Sequence, residues 1–341
     1  MISEDIKRTL MPHLAGQFER GLPVLFTGAG FSGDCCNFRG EMLPFSRGLR
    51  EALWSLCFPD QPFSADSSLP DLYSFAQLRH GRELCNLLRE LFTVDPESIP
   101  DYYRVIFSMP WYRAYTLNVD TLSAAVSAKF RLPRPTSIVS ATAIAGGATA
   151  STNIATQLEV VHLNGTLEDA PDNVTFSPTQ YAERLARPDP WYVAFVANLL
   201  SHSVVFMGTR LEEAPLWQHI EMRRMRGGRL MRELRPRSYL VIPNLDPAKQ
   251  ALLAEFNVMW VPASAEEFVN EVLANLAQAA AAGIAHLVQY RGEPGERIRM
   301  PEVSELATSP MQSSEFLLGA EPIWADILTY LGQNLVILRV T

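Results

Sequence analysis

Leu22-Pro-Val-Leu-Phe-Thr-Gly-Ala-Gly-Phe-Ser-Gly33 decides the fold, because it sets a short apolar run directly against a glycine turn. Val24, Leu25 and Phe26 predict a buried parallel strand: the run is too short and too rich in β-branched and aromatic side chains for a helix. Gly28, Gly30 and Gly33 predict a sharp turn whose backbone N–H groups, with no Cβ in the way, approach a diphosphate. The spacing Gly28-x-Gly30-x-x-Gly33 satisfies the dinucleotide fingerprint in letters, as a plain strand-to-helix turn also does. The acidic residue expected about 20 positions on, at the end of a second strand, is missing. Glu51 stands near that distance but sits in Arg50-Glu51-Ala52-Leu53-Trp54, which reads as helix. An ordinary Rossmann dehydrogenase therefore loses ground, and a dinucleotide site of another kind does not.

Outward from this turn, residues 4–20 read as an opening helix, with Ile6, Leu10, Leu14 and Phe18 at four-residue spacing. Residues 47–58 and 73–92 read as helices separated by a Pro/Ser/Asp-rich stretch at 59–71. Leu72, Phe75, Ala76 and Leu78, then Leu84, Leu87, Leu88 and Leu91, supply one apolar face. This helical block is expected as an insertion or lid over the glycine turn. Further buried strands read at 112–117, 158–163, 203–207, 238–242 and 258–261, the last before a helix at 265–280. They run out into Asn118-Val119-Asp120, Asn164-Gly165, Gly208-Thr209 and Pro243-Asn244. The alternation predicts an α/β fold, a Rossmann-like doubly wound parallel sheet with a helical insertion. Ligands of such sheets bind beyond the C-terminal strand ends, which is where this chain places its small and polar residues. Residues 134–157 read as a small-residue loop, either lining an access route or inert at the surface.

The 341 residues suffice for one large or two ordinary domains, and 48% apolar content supplies a buried core. The net charge of −8 disfavours a general nucleic-acid binder. The arginines Arg223, Arg224, Arg226, Arg229, Arg232, Arg235 and Arg237 read as a solvated face in preference to a phosphate- or partner-contacting one. The sequence holds no apolar run of about 18 residues, so no membrane span is expected. Met1-Ile-Ser-Glu-Asp-Ile-Lys-Arg8 lacks the regions of a secretion signal, and a cytoplasmic location is expected. Cys35, Cys36, Cys57 and Cys85 contain no C-x-x-C pair and read as buried free thiols, with no metal site. No glycine-lysine P-loop occurs. Residues 1–275 are expected as the nucleotide-binding domain and 276–310 as a linker. Residues 311–341 are expected as the start of a truncated second domain, because Leu335-Val-Ile-Leu-Arg-Val-Thr341 reads as a buried strand with nothing after it.

Gly28-Ala29-Gly30-Phe31-Ser32, Thr116-Leu117-Asn118-Val119-Asp120, His162-Leu163-Asn164-Gly165, Gly208-Thr209-Arg210-Leu211 and Ile242-Pro243-Asn244 occur in sirtuin order. Over about 20–275 the chain resembles a sirtuin-like (SIR2-type) domain, particularly the bacterial antiphage branch that hydrolyses NAD. Glu315-Phe-Leu-Leu-Gly-Ala-Glu-Pro-Ile-Trp324 resembles the junction into a STAND-type ATPase sensor of such defence proteins. The resemblance implies NAD as substrate, cleaved to nicotinamide and ADP-ribose or a cyclic form. It also implies a homo-oligomer with a fused or associated sensor that recognises a phage component. Gly28, Ala29, Gly30, Phe31 and Ser32 would hold the phosphates and nearby ribose, with Arg39 joining them through Asn37-Phe38-Arg39, an echo of the sirtuin Pro-Asp-Phe-Arg. Asn118 and Asp120 would contact the nicotinamide-side ribose and help position water, while Gly208, Thr209 and Asn244 would border the adenosine half.

Cleaving the bond from C1′ to nicotinamide builds oxocarbenium character while a neutral group departs. The step calls for fixed polar groups and a base near the ribose hydroxyls or the attacking water, a role that suits an imidazole. Sirtuins usually carry histidine directly before the glycine, where this chain has Asn164. His162, two residues earlier, would share a strand face with Asn164, so either His162 serves as base or Asn164 occupies that position. A third possibility is that His162 is a satisfied core histidine. Deacylating sirtuins also carry a four-cysteine zinc module after the catalytic histidine, and no cysteine follows Cys85. No zinc ribbon is therefore expected, which favours hydrolysis of NAD over protein deacylation or ADP-ribosyl transfer. A catalytically dead nucleotide-sensing module is the remaining alternative.

Overall fold

The computed structural model describes residues 1–20, 23–142, 155–176, 180, 190–212 and 236–289. Met1–Arg291 forms one compact unit; the second, Gly292–Thr341, lies outside the described residues. So do Arg223–Arg235 of the arginine run, residues 143–154, and the expected strand at 335–341.

Among the described residues seven strands form one sheet: β1 (Val24–Thr27), β2 (Arg113–Thr116), β3 (Thr136–Ser140), β4 (Leu158–His162), β5 (Val204–Met207), β6 (Ser238–Val241) and β7 (Val258–Val261). Their order is β3-β4-β2-β1-β5-β6-β7, with every neighbouring pair parallel. The fold is the expected α/β doubly wound sheet. Strand order reverses at β1, which pairs with β2 on one side and β5 on the other, so a crevice opens beyond the carboxyl ends of β1 and β5. β3 is a correction to the expected loop over 134–157. Its Thr-Ser-Ile-Val-Ser alternation is only five residues long and half-exposed at the sheet edge, so it carries little apolar signal.

Period-two alternation sends successive side chains to opposite faces. Val24 and Phe26 pack with Phe206 and with Phe195 of helix α6 (Pro190–Ser201), while Leu25 joins the opposite core. That opposite core is built largely from α1 (Glu4–Glu19), α2 (Ser46–Cys57), α3 (Leu69–Phe92), α4 (Tyr102–Ser108), α5 (Leu122–Lys129), α8 (Ala265–Glu271) and α9 (Ala277–Gln289). Helix α7 (Pro247–Glu255) lies on the α6 side. At the sheet end away from the crevice, Arg113 and Glu159 pair across β2 and β4 at 2.7 Å.

Helices α2 and α3 stand between β1 and β2, as the insertion requires. The expected single apolar face of α3 is not continuous: Leu72, Tyr73 and Ala76 are buried, whereas Leu78 is 83% exposed. His80 leaves helical geometry (φ −134°, ψ 33°), so the register resets before Leu84 and Leu88 return to the core. The expected helix at 265–280 is instead α8, a 3-10 turn at Leu273–Leu276, and α9. Helix α9, expected at the head of a linker, belongs to the first unit and packs on α1.

A Cβ at Gly283 of α9 would overlap the Phe18 carbonyl oxygen and lie 2.8 Å from Pro110 Cγ, whereas one at Gly16 of α1 meets nothing within 4 Å. Gly283→Ala is therefore expected to destabilise by about 1–3 kcal/mol through overpacking. Gly16→Ala is expected to stabilise by about 0.5–1 kcal/mol through helix propensity. Urea unfolding of both variants measures the contrast.

Candidate active site

The strand ends meet at the crevice through backbone contacts that only glycine permits. Gly208, after β5, has φ +64°, and a Cβ there would overlap Phe31 N and lie 2.6 Å from Gly30 C. Gly30 N donates to Gly208 O at 2.8 Å, and Gly28 N to Met207 O at 3.1 Å. A Cβ on Gly28 would stand 2.7 Å from Thr209 Cβ. Residues Ala29–Ser32 form a 3-10 turn, and the next helix, α2, begins only at Ser46. Phe31 N is taken up by Gly28 O at 2.8 Å, and Phe31 O accepts from Tyr103 OH. The expectation that the glycine N–H groups face a diphosphate is thus corrected for Gly28 and Gly30, whose donors, with that of Phe31, hold the turn together. Ala29 and Gly30 are exposed at the rim.

From this turn Ser32 reaches inward. Its Oγ donates to Asp120 Oδ2 at 2.6 Å and accepts from Asn118 Nδ2 at 2.7 Å. Asp120 Oδ1 accepts from Leu122 N at 3.0 Å, at the start of α5. Burial pushes the Asp120 carboxyl above its usual range, opposed by the hydrogen bonds from Ser32, Leu122 and Asn118 and by the nearby His162. His162 closes β4; its Nδ1 lies 2.8 Å from the Asn118 carbonyl and its Nε2 3.4 Å from Ser123 Oγ. Burial holds the imidazole below its ordinary value, opposed chiefly by Asp120.

Three cavities share these residues. An apolar chamber of about 130 Å³ is walled by Leu43, Phe45, Leu49, Phe92 and Phe176, with Ala29, Ser32, Asn118 and Asp120 on its polar side. A polar chamber of about 410 Å³ is lined by Asp120, Ser123, Ser140, His162, Thr166 and Asp169 among others. A void of about 20 Å³ includes Ser32, Asn118, Asp120, Ser123 and His162 in its lining. Asp120 lines all three.

The remaining expected residues are dispersed. Asn164 does not share a strand face with His162, because β4 stops at His162 and the chain turns there, Gly165 N donating to His162 O at 3.1 Å. The Asn164 amide donates to Leu117 O at 3.0 Å, bracing the loops after β2 and β4, and Asn164 lines none of these cavities. Arg39 is exposed, paired with Glu90 of α3, and lines none of them either. Thr209 is buried, with its Oγ1 accepting from Leu211 N at 2.9 Å. Asn244 is exposed after β6. Ser123, Ser140 and Asp169 carry no signal in the sequence: a serine inside a helix or an edge strand has no motif of its own. Among the described residues no three His, Cys, Asp or Glu side chains converge as metal ligands would. No described helix is long and apolar enough to cross a membrane.

Residues 115–261 match the model of the SIR2-like domain. The matched span holds Asn118, Asp120, His162, Asn164, Gly208, Thr209 and Asn244, and begins after the glycine turn. Among solved structures, one reported under "Structural Basis for the Mechanism and Regulation of Sir2 Enzymes" covers 82% of this chain and 100% of its own, at 12% identity and a TM-score of 0.34. No curated protein matches the chain.

The lowered folded-state affinity of His162 for protons sets a pH dependence. Below the ordinary imidazole value of 6.5 the unfolded chain binds the proton that the buried ring resists, so stability is lost as pH falls from there. His13, also held low by burial and by Arg237 and Arg20, acts in the same direction. Thermal melts between about pH 7.5 and pH 5 are expected to fall more steeply for the parent than for His162→Gln, with His13 common to both.

Proposed function

We propose that the chain is an NAD hydrolase that releases nicotinamide and leaves ADP-ribose or its cyclic form. In this reading it is the N-terminal effector of a bacterial antiphage protein. It depletes cytoplasmic NAD when a fused STAND-type sensor recognises a phage component and drives oligomerisation. The match of residues 115–261 to the SIR2-like domain supports the family of chemistry. The motif order supports the NAD-hydrolysing sirtuin-like branch, and the Glu315–Trp324 stretch supports the sensor arrangement.

The observation that carries the chemistry is the position of Asp120, buried where the apolar and polar chambers meet and oriented by Ser32 and Leu122 N. A carboxylate so placed stabilises positive charge developing on a ribose at that junction. Asn118 gives its amide N–H to Ser32 and keeps its Oδ1 for a ribose hydroxyl. The apolar chamber suits an uncharged aromatic leaving group. As the C1′–N bond breaks, its electron pair leaves with nicotinamide. A water oxygen bonds to C1′, and the water proton passes to neutral His162. Gly28, Ala29 and Gly30 border the diphosphate, with Gly208, Thr209 and Asn244 toward the adenosine half.

Chromatographic assay of NAD loss by the assembled full-length protein tests this reading. Asn118→Ala is expected to lower nicotinamide release by about 100-fold or more, and His162→Ala to lower it comparably. Undiminished turnover in Asn118→Ala would sink the proposal. Label transferred from NAD to protein, or turnover that requires an acylated peptide, would select transferase or deacylase chemistry. Tight NAD binding with no cleavage in the assembled state would select a nucleotide-sensing module.

A further inference from the structure

His162 meets two groups of opposite character. The Asn118 carbonyl only accepts, so the ring nitrogen facing it at 2.8 Å, Nδ1, carries the proton and Nε2 keeps a lone pair. Facing that lone pair at 3.4 Å is Ser123 Oγ, buried on the first turn of α5. Ser123 and His162 both line the polar chamber. We propose that Ser123 is a positioning residue. With the Asn118 carbonyl it holds His162 as the Nδ1–H tautomer and presents Nε2 to the polar chamber as the proton acceptor. This rests on the reading of His162 as the base for NAD cleavage.

The Ser123 hydroxyl donates to Nε2 at rest, and at 3.4 Å the bond is long enough to be exchanged for that of an incoming hydroxyl or water. The hydroxyl donates to Nε2 of the neutral ring and, turned about its C–O bond, accepts from the imidazolium, so it holds the ring in place in either charge state. The charged groups facing the ring are carboxylates: Asp120 from the loop after β2, and Glu168 and Asp169 from the turn after β4. These favour the imidazolium, as does the bond to the Asn118 carbonyl, while burial opposes it. β3 contributes Ile138 and the hydroxyl of Ser140 to the chamber, and no charge. Burial thus sets the ring toward its uncharged form, and Ser123 is the hydrogen-bonding partner that keeps Nε2 aimed at the polar chamber.

NMR of ¹⁵N-histidine-labelled full-length protein reads the tautomer without reference to activity, with the His162 resonances assigned from their loss in His162→Gln. A pyrrole-like Nδ1 and a pyridine-like Nε2 are expected. Ser123→Ala, which leaves Nε2 without its resting partner, is expected to shift the His162 midpoint, and the acidic limb of nicotinamide release shifts with it. Turnover falls about tenfold while KM for NAD is unchanged. Ser123→Thr, which keeps the hydroxyl, restores both. A protonated Nε2 in the parent, or one midpoint shared by parent and Ser123→Ala, overturns the proposal. If the tautomer and midpoint behave as expected but no variant, nor the parent, releases nicotinamide, the NAD-cleaving reading fails and the positioning of the ring stands.

Discussion

The contact between Gly30 and Gly208 governs the rest of the site. Parallel strands about 4.8 Å apart leave no room for side chains where their two exit turns cross. Here the Gly30 N–H donates to the Gly208 carbonyl at 2.8 Å, with Gly208 in the left-handed region. The two turns become one hydrogen-bonded unit. Phe31 is locked behind it by Gly28 O and Tyr103 OH, and Ser32, the next residue, is delivered to Asp120. The glycines therefore serve first to let two backbones touch.

Around Asp120 the balance of forces is between burial and hydrogen bonding. An unpaired buried carboxylate is costly, and hydrogen bonds from Ser32 and Leu122 N offset that cost without a cation in contact. A fixed guanidinium beside Asp120 would neutralise it permanently. Arg39, the cation expected nearby, is instead engaged with Glu90 on α3. Among the described residues Asp120 therefore has no fixed cation partner, and His162 sits one hydrogen-bonded residue away through the Asn118 carbonyl.

The helical insertion completes the site by supplying its dry wall. Phe45 lies over Gly33, where a Cβ would stand 2.8 Å from the ring, and Leu43, Leu49 and Phe92 continue the apolar lining. The polar chamber draws instead on β3 and on the turn after β4, where Asp169 accepts from Ser140 Oγ, Thr166 N and Thr166 Oγ1. Asp120 thus faces an apolar wall on one side and a polar one on the other.

The glycine turn, six of the strands and the polar residues at their ends were legible in the sequence. A buried parallel strand is a short continuous apolar run, and a close backbone approach demands glycine whatever the surroundings. Asn118, Asp120, His162 and Ser32 were legible for the same reason, since each follows or ends such a run. The tertiary structure alone decided the rest. It set β3 at the sheet edge, where half-exposed residues carry no apolar run. It turned Asn164 onto the Leu117 carbonyl, because the chain leaves β4 at His162 in a turn closed by Gly165 N on His162 O, which ends the two-residue period on which a shared face depends. It brought Ser123 to His162 across 39 residues of chain, since hydrogen-bond partners are chosen by distance in space, which a linear pattern does not record.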